Sequence, residues 1–175
     1  MWWPTGPTFA NGQIIAVDCL NGKTLHTYHT KYPIWNPVTL VLAPSQSRIY
    51  VDTCSSSADG STCQGGNVEV LDVASGQNLA VISAGTDQVF GIAAAPDGTA
   101  VYAAHYPNSP DCCFSICCAL PAGSVPSSAI TAFDATSFQP VGSLAFPTRT
   151  ASLLRIARQG LWLREGTFTK SLSRR

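Results

Sequence analysis

The residues of this chain that could do chemistry are its cysteines, a few histidines and a recurring aspartate. Six of the seven cysteines form two clusters: Cys54 with Cys63, and the compact run Cys112, Cys113, Cys117 and Cys118. The short segment between the first two closes easily as a disulfide loop, and the second cluster could pair internally. Free thiols and a thiolate-bound metal are the alternatives, although structural zinc sites use two separated pairs of ligands.

The cysteines also bear on the compartment. Disulfides would place the protein outside the cell or in a periplasm, because these compartments are oxidising. No basic segment followed by a long apolar stretch is present at the start, so this location requires a truncated N-terminus. Cys19 is the odd cysteine, and we expect it to be a free thiol.

The histidines do not predict a catalytic or metal site. His26 and His29 are an odd number of residues apart on one strand, so they lie on opposite faces and cannot easily share a metal. His105 ends a strand at the mouth of the longest loop, where a polar edge residue is the expected interpretation. No nucleophile elbow, phosphate loop or zinc-protease motif is present. The sequence therefore predicts no catalytic residue, no metal ligand and no cofactor.

An aspartate recurs inside a phrase that the chain repeats three times. The copies run from Ile14 to Leu25, from Val68 to Leu79 and from Ile130 to Val141, with the aspartate at Asp18, Asp72 and Asp134. Each copy has a run of β-favouring residues up to the aspartate, a short polar segment, and then apolar residues again, which predicts a β-hairpin. Self-similarity at a period of tens of residues is typical of stacked units.

The repeated position assigns the aspartate to turn formation. Its carboxylate can accept hydrogen bonds from backbone amides two residues on, and Gly22 and Gly76 supply the positive φ that such turns require. Phe138 replaces this glycine in the third copy, so we expect that turn to be strained or differently shaped. The three copies differ in polarity at one shared position, which is occupied by Ile15, Glu69 and Thr131. This variation predicts that the strand face that carries these residues tolerates substitution.

A second repeated phrase alternates with the first. It reads Ala43-Pro44-Ser45-Gln46-Ser47-Arg48-Ile49-Tyr50 and then Ala95-Pro96-Asp97-Gly98-Thr99-Ala100-Val101-Tyr102, with a degraded copy from Ala157 to Trp162. Gly98 marks the clearer turn. Each full unit therefore holds four strands: A and B form this hairpin, and C and D form the aspartate hairpin.

The alternation of a Pro-Asp-Gly…Val-Tyr hairpin with a Val-Glu-Val-Leu-Asp-Val-Ala-Ser-Gly hairpin resembles the YVTN-type β-propeller repeat, a relative of the WD40 repeat. The resemblance covers roughly residues 12–165. It implies an all-β fold of four-stranded antiparallel sheets arranged as propeller blades, with ligands bound by loops on one rim. Some relatives are lactonases or heavy subunits of quinoprotein amine dehydrogenases, but no catalytic residue carries over to this chain.

The repeats predict one β-propeller region over residues 1–165, followed by a basic C-terminal tail at 166–175. The region contains a half blade at 12–31, blades at 37–83 and 89–146, and a half blade at 151–165. These make about three blades, fewer than the four to eight of a closed ring. We therefore expect an incomplete or open propeller, a fragment of a longer one, whose unpaired edge strands could self-associate.

The charge and hydropathy of the chain limit the kinds of partner that it can have. Residues 149–175 carry seven basic residues and one acid, whereas the rest of the chain has three basic and nine acidic residues. This end could bind an anionic partner, but a terminal strand pair followed by a frayed basic end is the expected interpretation. No apolar run is long enough to span a membrane. We expect a binding or scaffold protein with a protein or small-molecule ligand at the blade loops, and neither a nucleic acid nor a membrane as partner. The alternative is an enzyme or enzyme subunit of the propeller type.

Overall fold

The chain folds into β-strands that stack as antiparallel sheets in a computed structural model. The structure describes residues 12–34, 39–56, 63–85, 87–107, 128–146, 154–157, 160–164 and 169–172. All regular elements among these residues are strands. Within the same ranges, no helix could cross a membrane.

The strands form four sheets in chain order. Sheet 1 contains β1 (Gln13–Val17) and β2 (Thr24–His29). Sheet 2 contains β3 (Leu40–Leu42), β4 (Arg48–Ser56), β5 (Cys63–Asp72) and β6 (Asn78–Ser83). Sheet 3 contains β7 (Asp87–Ala94), β8 (Ala100–Pro107), β9 (Ser128–Asp134) and β10 (Pro140–Phe146). Sheet 4 contains β11 (Leu154–Ala157), β12 (Gly160–Arg164) and β13 (Thr169–Leu172). Consecutive strands are neighbours in every sheet, so each sheet is an antiparallel meander.

This architecture confirms the predicted fold class of an incomplete β-propeller. Sheets 2 and 3 are complete four-stranded blades, and sheet 1 has two strands in the described part of the chain. Two boundaries differ from the sequence prediction. β7 begins at Asp87, before the predicted start of the blade at 89, and β13 lies within the segment predicted only as a basic tail.

Face-to-face packing of the sheets creates the core. Tyr50, Val68 and Val70 of sheet 2 pack against Ile92 and other apolar side chains of sheet 3. On the opposite face of sheet 2, Ile49, Val51 and Leu71 pack against Tyr28 of sheet 1. Sheet 2 is therefore covered on both faces, because one sheet lies on each side of it.

This double coverage corrects the expectation of a tolerant face. Glu69, assigned to that face, has none of its surface exposed. The side chain of Glu69 lies on the face of β5 that is turned towards sheet 1, so it is enclosed between sheets 1 and 2. Strand alternation gives two faces but cannot say whether a second sheet covers one of them.

The two ends of the sheets differ in the length of their connections. One end, here called the turn rim, carries the tight turns at 18–23, 43–48, 72–77, 95–100 and 134–139. The opposite end, here called the loop rim, carries the connections between sheets and the connections that leave β4 and β8 and return at β5 and β9. The connections at the loop rim therefore range from three residues, between β6 and β7, to the longest of the chain, between β8 and β9.

Candidate functional site at the loop rim

The three recurring aspartates all lie at the turn rim, where their carboxylates bind the turn backbone. Asp72 Oδ1 accepts hydrogen bonds from the backbone N–H and the hydroxyl of Ser75, both at 2.7 Å. Asp134 Oδ1 accepts the same two bonds from Ser137, at 2.7 and 2.9 Å. The Ser75 hydroxyl and N–H lower the pKa of Asp72, and the N–H and hydroxyl of Ser137 lower that of Asp134.

The first copy of the turn closes through neighbouring groups in a related way. Asp18 Oδ1 accepts a hydrogen bond from the N–H of Leu20 at 2.8 Å, and its Oδ2 accepts one from the side-chain amide of Asn21. The three carboxylates are thus engaged in turns, and a short polar side chain that bonds its own backbone is what such turns need.

The positive-φ positions show that the aspartate turns share one conformation. Gly22 and Gly76 have φ values of 72° and 73°, and each donates its N–H to the carbonyl of the turn aspartate, whereas Gly98, with φ 73°, bonds the carbonyl three residues back in the other kind of hairpin. Phe138 adopts φ 58°, and its N–H bonds the carbonyl of Asp134 at 2.9 Å as Gly76 does with Asp72. The third turn is therefore not differently shaped: phenylalanine is held in the left-handed region that glycine tolerates better.

The predicted disulfide between Cys54 and Cys63 is confirmed. The two cysteines lie near the loop-rim ends of β4 and β5 with their Cα atoms 5.6 Å apart. Both side chains are buried, so the bridge joins two paired strands rather than two ends of a free loop. Cys112, Cys113, Cys117 and Cys118 lie outside the described residues. Cys19 is exposed and carries a free thiol.

A row of polar side chains crosses all four strands of sheet 3 near the loop rim. His105 Nδ1 on β8 lies 2.7 Å from Asp87 Oδ2 on β7. Its Nε2 lies 3.0 Å from the hydroxyl of Thr131 on β9, which in turn lies 3.1 Å from the hydroxyl of Ser143 on β10. We call these four residues the polar row.

The polar row places the imidazole of His105 between a carboxylate and a hydroxyl. The Asp87 carboxylate fixes the ring of His105, and the other ring nitrogen faces a hydroxyl, which is the arrangement that lets an imidazole take a proton from an alcohol. The side chains of His105 and Asp87 are 14% and 28% exposed, so the pair is shielded from solvent but reachable. The same bonds also tie neighbouring strands together, because each residue belongs to a different strand.

The disulfide and the polar row belong to one region of the loop rim. Cys54 pairs with Gly66 across the β4–β5 ladder. A Cβ atom added at Gly66 would lie 2.9 Å from the carbonyl oxygen of Asp87 and would collide with the backbone of Val89. Only glycine therefore lets this end of sheet 2 approach the start of β7, so the disulfide end of one blade lies against the polar row of the next.

Two acidic side chains are buried in sheet 2, and each is bonded to backbone from a connection at the loop rim. Glu69 accepts hydrogen bonds from the N–H groups of Lys31 and Tyr32, at 2.7 and 2.8 Å, and from the amide of Asn78. Asp52 is 4% exposed and accepts a bond from the N–H of Thr39 at 2.7 Å. Burial raises the pKa of Asp52 to about 7.

The other histidines lie away from this region. The rings of His26 and Tyr28 lie 4.4 Å apart, whereas His29 is exposed. In the described ranges, no group of three or more His, Cys, Asp or Glu side chains is placed to hold a metal ion. Asp87 and Glu69, which organise the loop rim, were missed by the sequence reasoning because their partners lie in other strands or blades. The available signal was a lone glutamate inside the apolar segment Val68–Leu71.

Comparison with known proteins finds likeness to solved structures and nothing at the level of sequence families. No family model matches the chain, and no curated protein matches it. Hydrazine synthase from Kuenenia stuttgartiensis is similar with a TM-score of 0.55 and 14% identity over 87% of this chain. An acylaminoacyl peptidase from Pyrococcus horikoshii is similar with a TM-score of 0.55 and 10% identity over 93% of it.

A third structure, the Dos1 propeller, matches more loosely, with a TM-score of 0.47 and 10% identity over 77% of this chain. The chain spans 37%, 28% and 32% of the lengths of these three structures, in the order given. At such identities the likeness concerns the fold. The described residues form blades of an incomplete β-propeller, and no function follows from that architecture alone.

Proposed function

We propose that this chain is a non-catalytic binding or scaffold protein of the YVTN type, a segment of a longer propeller, and that its ligand binds at the loop rim. The observation that carries the proposal is the difference between the two rims. The turn rim is closed by short, internally bonded turns, whereas the loop rim carries the connections between sheets and the longest connection of the chain, from β8 to β9. Binding residues concentrate on loops that a rigid scaffold positions.

Two features at the loop rim favour a rigid presentation of those loops. The Cys54–Cys63 disulfide fixes the two strand ends from which the sheet 2 loop projects. The polar row bonds the four strands of sheet 3 next to the corresponding loop. Fixing a loop before binding lowers the entropic cost of ordering it, which raises affinity.

The test is a selection of random displayed peptides on the immobilised chain, followed by binding to two double variants. Lys31→Glu with Gln64→Arg changes exposed side chains at the loop rim, and Ser45→Arg with Gln77→Arg changes exposed side chains at the turn rim. We expect the enriched peptides to lose most of their affinity for the first variant only. Equal binding to both variants, or loss confined to the turn-rim variant, contradicts the proposal.

The polar row favours a second candidate function, a hydrolytic enzyme. In this alternative His105, oriented by Asp87, removes the proton from the Thr131 hydroxyl, whose oxygen then attacks an ester carbonyl. The proton passes from His105 to the leaving alcohol, and water releases the acyl group by the reverse sequence. The binding proposal instead assigns the row to holding the strands of sheet 3.

Hydrolysis of 4-nitrophenyl acetate separates the two candidates. Thr131→Val removes the nucleophile and His105→Gln removes the base, while both keep side chains of similar size. The binding proposal predicts lower thermal stability for both variants and no difference in hydrolysis from the parent chain. A parent activity that both substitutions abolish, with Ser45→Arg as an unaffected control, favours the enzyme.

A further inference from the structure

Equivalent positions in sheets 2 and 3 differ sharply in burial. Leu40 of β3 pairs with Val51, and its counterpart Ile92 of β7 pairs with Ala103. Ile92 is 3% exposed, whereas Leu40 is 45% exposed and Leu42, on the same face, is 46% exposed. The two leucines form an exposed apolar strip on the face of β3 that is turned towards sheet 1.

The cause lies in the preceding sheet. Ile92 is covered by sheet 2, which has four strands, and its cluster includes Tyr50 of strand β4. Among the residues that the structure describes, sheet 1 has two strands, β1 and β2, which correspond to strands C and D. They cover Ile49, Val51 and Leu71 but leave the inner strand β3 bare. The exposed leucines therefore continue an interface that already exists between sheets 1 and 2.

The same gap leaves one edge of β1 without a partner strand among the described residues. The N–H of Thr30 bonds the carbonyl of Gly12, so alternate residues of β1 from Gly12 onwards bond to β2. The backbone groups of Gln13 and Ile15 then point to the opposite edge. Their counterparts in sheet 2, Asn67 and Glu69, pair with strand β4 there.

The missing element is thus an A–B hairpin, and the chain carries one at its other end. The β11–β12 hairpin corresponds to the degraded copy of the A–B phrase. Strand β11 lies against β7, which is strand A of sheet 3. No ladder joins sheet 1 to sheet 4 within the described strands. Sheets 1 and 4 therefore hold complementary halves of a blade that a single molecule leaves apart.

We propose that the surface formed by the β1 edge, Leu40 and Leu42 binds a second copy of this chain, whose β11–β12 hairpin completes sheet 1. The pairing is reciprocal, so two copies share two such blades around a twofold axis. Together they form six four-stranded sheets, a number within the range of closed propellers. In the dimer, β12 of one copy pairs with β1 of the other copy and no longer with β13, its neighbour in the single chain. This inference is independent of the ligand at the loop rim and concerns the 175-residue chain by itself; in a longer propeller, an A–B hairpin of a neighbouring segment would occupy the same edge of β1.

The experiment measures the mass of the full chain by sedimentation equilibrium from about 1 to about 200 µM, with amide exchange in parallel. We expect a concentration-dependent dimer and slower exchange at Gln13 and Ile15 as it forms. Leu40→Glu should weaken dimerisation at least about tenfold. Leu79→Glu is the matched control because Leu79 is also 45% exposed but lies on the outer strand β6.

A second variant covers the case in which Leu40→Glu fails to fold. Ile15→Pro removes an N–H from the free edge of β1 and spares the bonds to β2, so circular dichroism should stay unchanged while the dimer is lost. A monomer at every concentration, or equal weakening by Leu40→Glu and Leu79→Glu, overturns the proposal. A larger, open-ended assembly also overturns it, because reciprocal pairing closes at two copies.

Discussion

At the scale of single residues, burial of a carboxyl makes the stability of this chain depend on pH. Asp52 accepts a hydrogen bond from the N–H of Thr39, but burial outweighs it and raises the pKa of Asp52 from an ordinary value of 3.8 to about 7. The folded state therefore favours the protonated form. The contribution of this group to stability is fully present below about pH 4 and is lost as the pH rises through about 7.

Asp52→Asn should remove that dependence, because asparagine is neutral at every pH and keeps an oxygen that accepts the Thr39 N–H. We expect the variant to exceed the parent in free energy of unfolding by roughly 3–4 kcal/mol at about pH 8 and to match it near pH 4. Urea unfolding at three pH values measures the difference. A difference that stays constant with pH would show that the carboxyl does not titrate in this way.

Backbone strain provides a second prediction at the residue scale. Gln46 occupies a positive φ of 58° in the exposed turn where the next blade has Gly98. Gln46→Gly should therefore raise the free energy of unfolding by about 0.5–1 kcal/mol, because the relief of strain exceeds the added freedom of the unfolded chain. Thermal unfolding checks whether Gln46→Gly raises the stability. The converse substitution, Gly98→Gln, should lower it.

Phe138 is the informative comparison, since it has the same φ but a ring that makes contacts. Its ring packs at the core between sheets 2 and 3, and the guanidinium of Arg48 lies 5.4 Å from the ring centroid. Phe138→Gly relieves the strain but loses these contacts. It should therefore not stabilise the protein, which separates backbone strain from side-chain packing.

At the scale of elements, the disulfide holds the loop-rim end of the β4–β5 hairpin. It closes a segment with a sequence separation of 9, and Cys54 is 1% exposed. The double variant Cys54→Ser with Cys63→Ser should lower the free energy of unfolding by about 2–3 kcal/mol, because the unfolded chain regains loop entropy. Chemical denaturation measures this loss. Cys19→Ser, at an exposed thiol, should have no effect; a similar loss there would assign the change to the substitution itself.

Elements are also joined by bonds between blades, which recur at matching positions. The hydroxyl of Tyr28 on sheet 1 donates to the carbonyl of Val73 in the turn of sheet 2, at 3.1 Å. The guanidinium of Arg48 on sheet 2 donates to the carbonyl of Ala135, the matching turn residue of sheet 3. The residues after Asp72 and Asp134 thus each receive a donor from the preceding blade, although the donor differs chemically.

At the scale of the whole molecule, coverage of the sheets sets a gradient of local stability. Sheet 2 lies between sheets 1 and 3, and Val51, Val70 and Leu71 in its middle strands have no exposed surface. Amide hydrogen exchange should be slowest at these residues, because their opening requires separation of both neighbouring sheets. Two-dimensional NMR during exchange measures the rates. Equal protection in β1 and β5 at low protein concentration would contradict the gradient.

The sequence by itself determined the strands, the turns and the four-stranded unit. These features are local: strand alternation, the aspartate that bonds its own turn, and glycine at positive φ all depend on neighbouring residues. The Cys54–Cys63 bridge was predictable for the same reason, since a short segment joins the two cysteines. Partners in other blades, such as the loop amides that enclose Glu69, left no comparable signal.

Only the tertiary structure decided which residues the blades enclose. Glu69 and Leu40 lie on the same side of sheet 2, yet the charged residue is buried and the apolar one is exposed. Sheet 1 covers β5 but stops before β3, so the position of an element distant in sequence reverses the expected burial of both. Burial and pairing between sheets depend on the whole stack of blades, and strand periodicity in one segment carries no information about what lies above it.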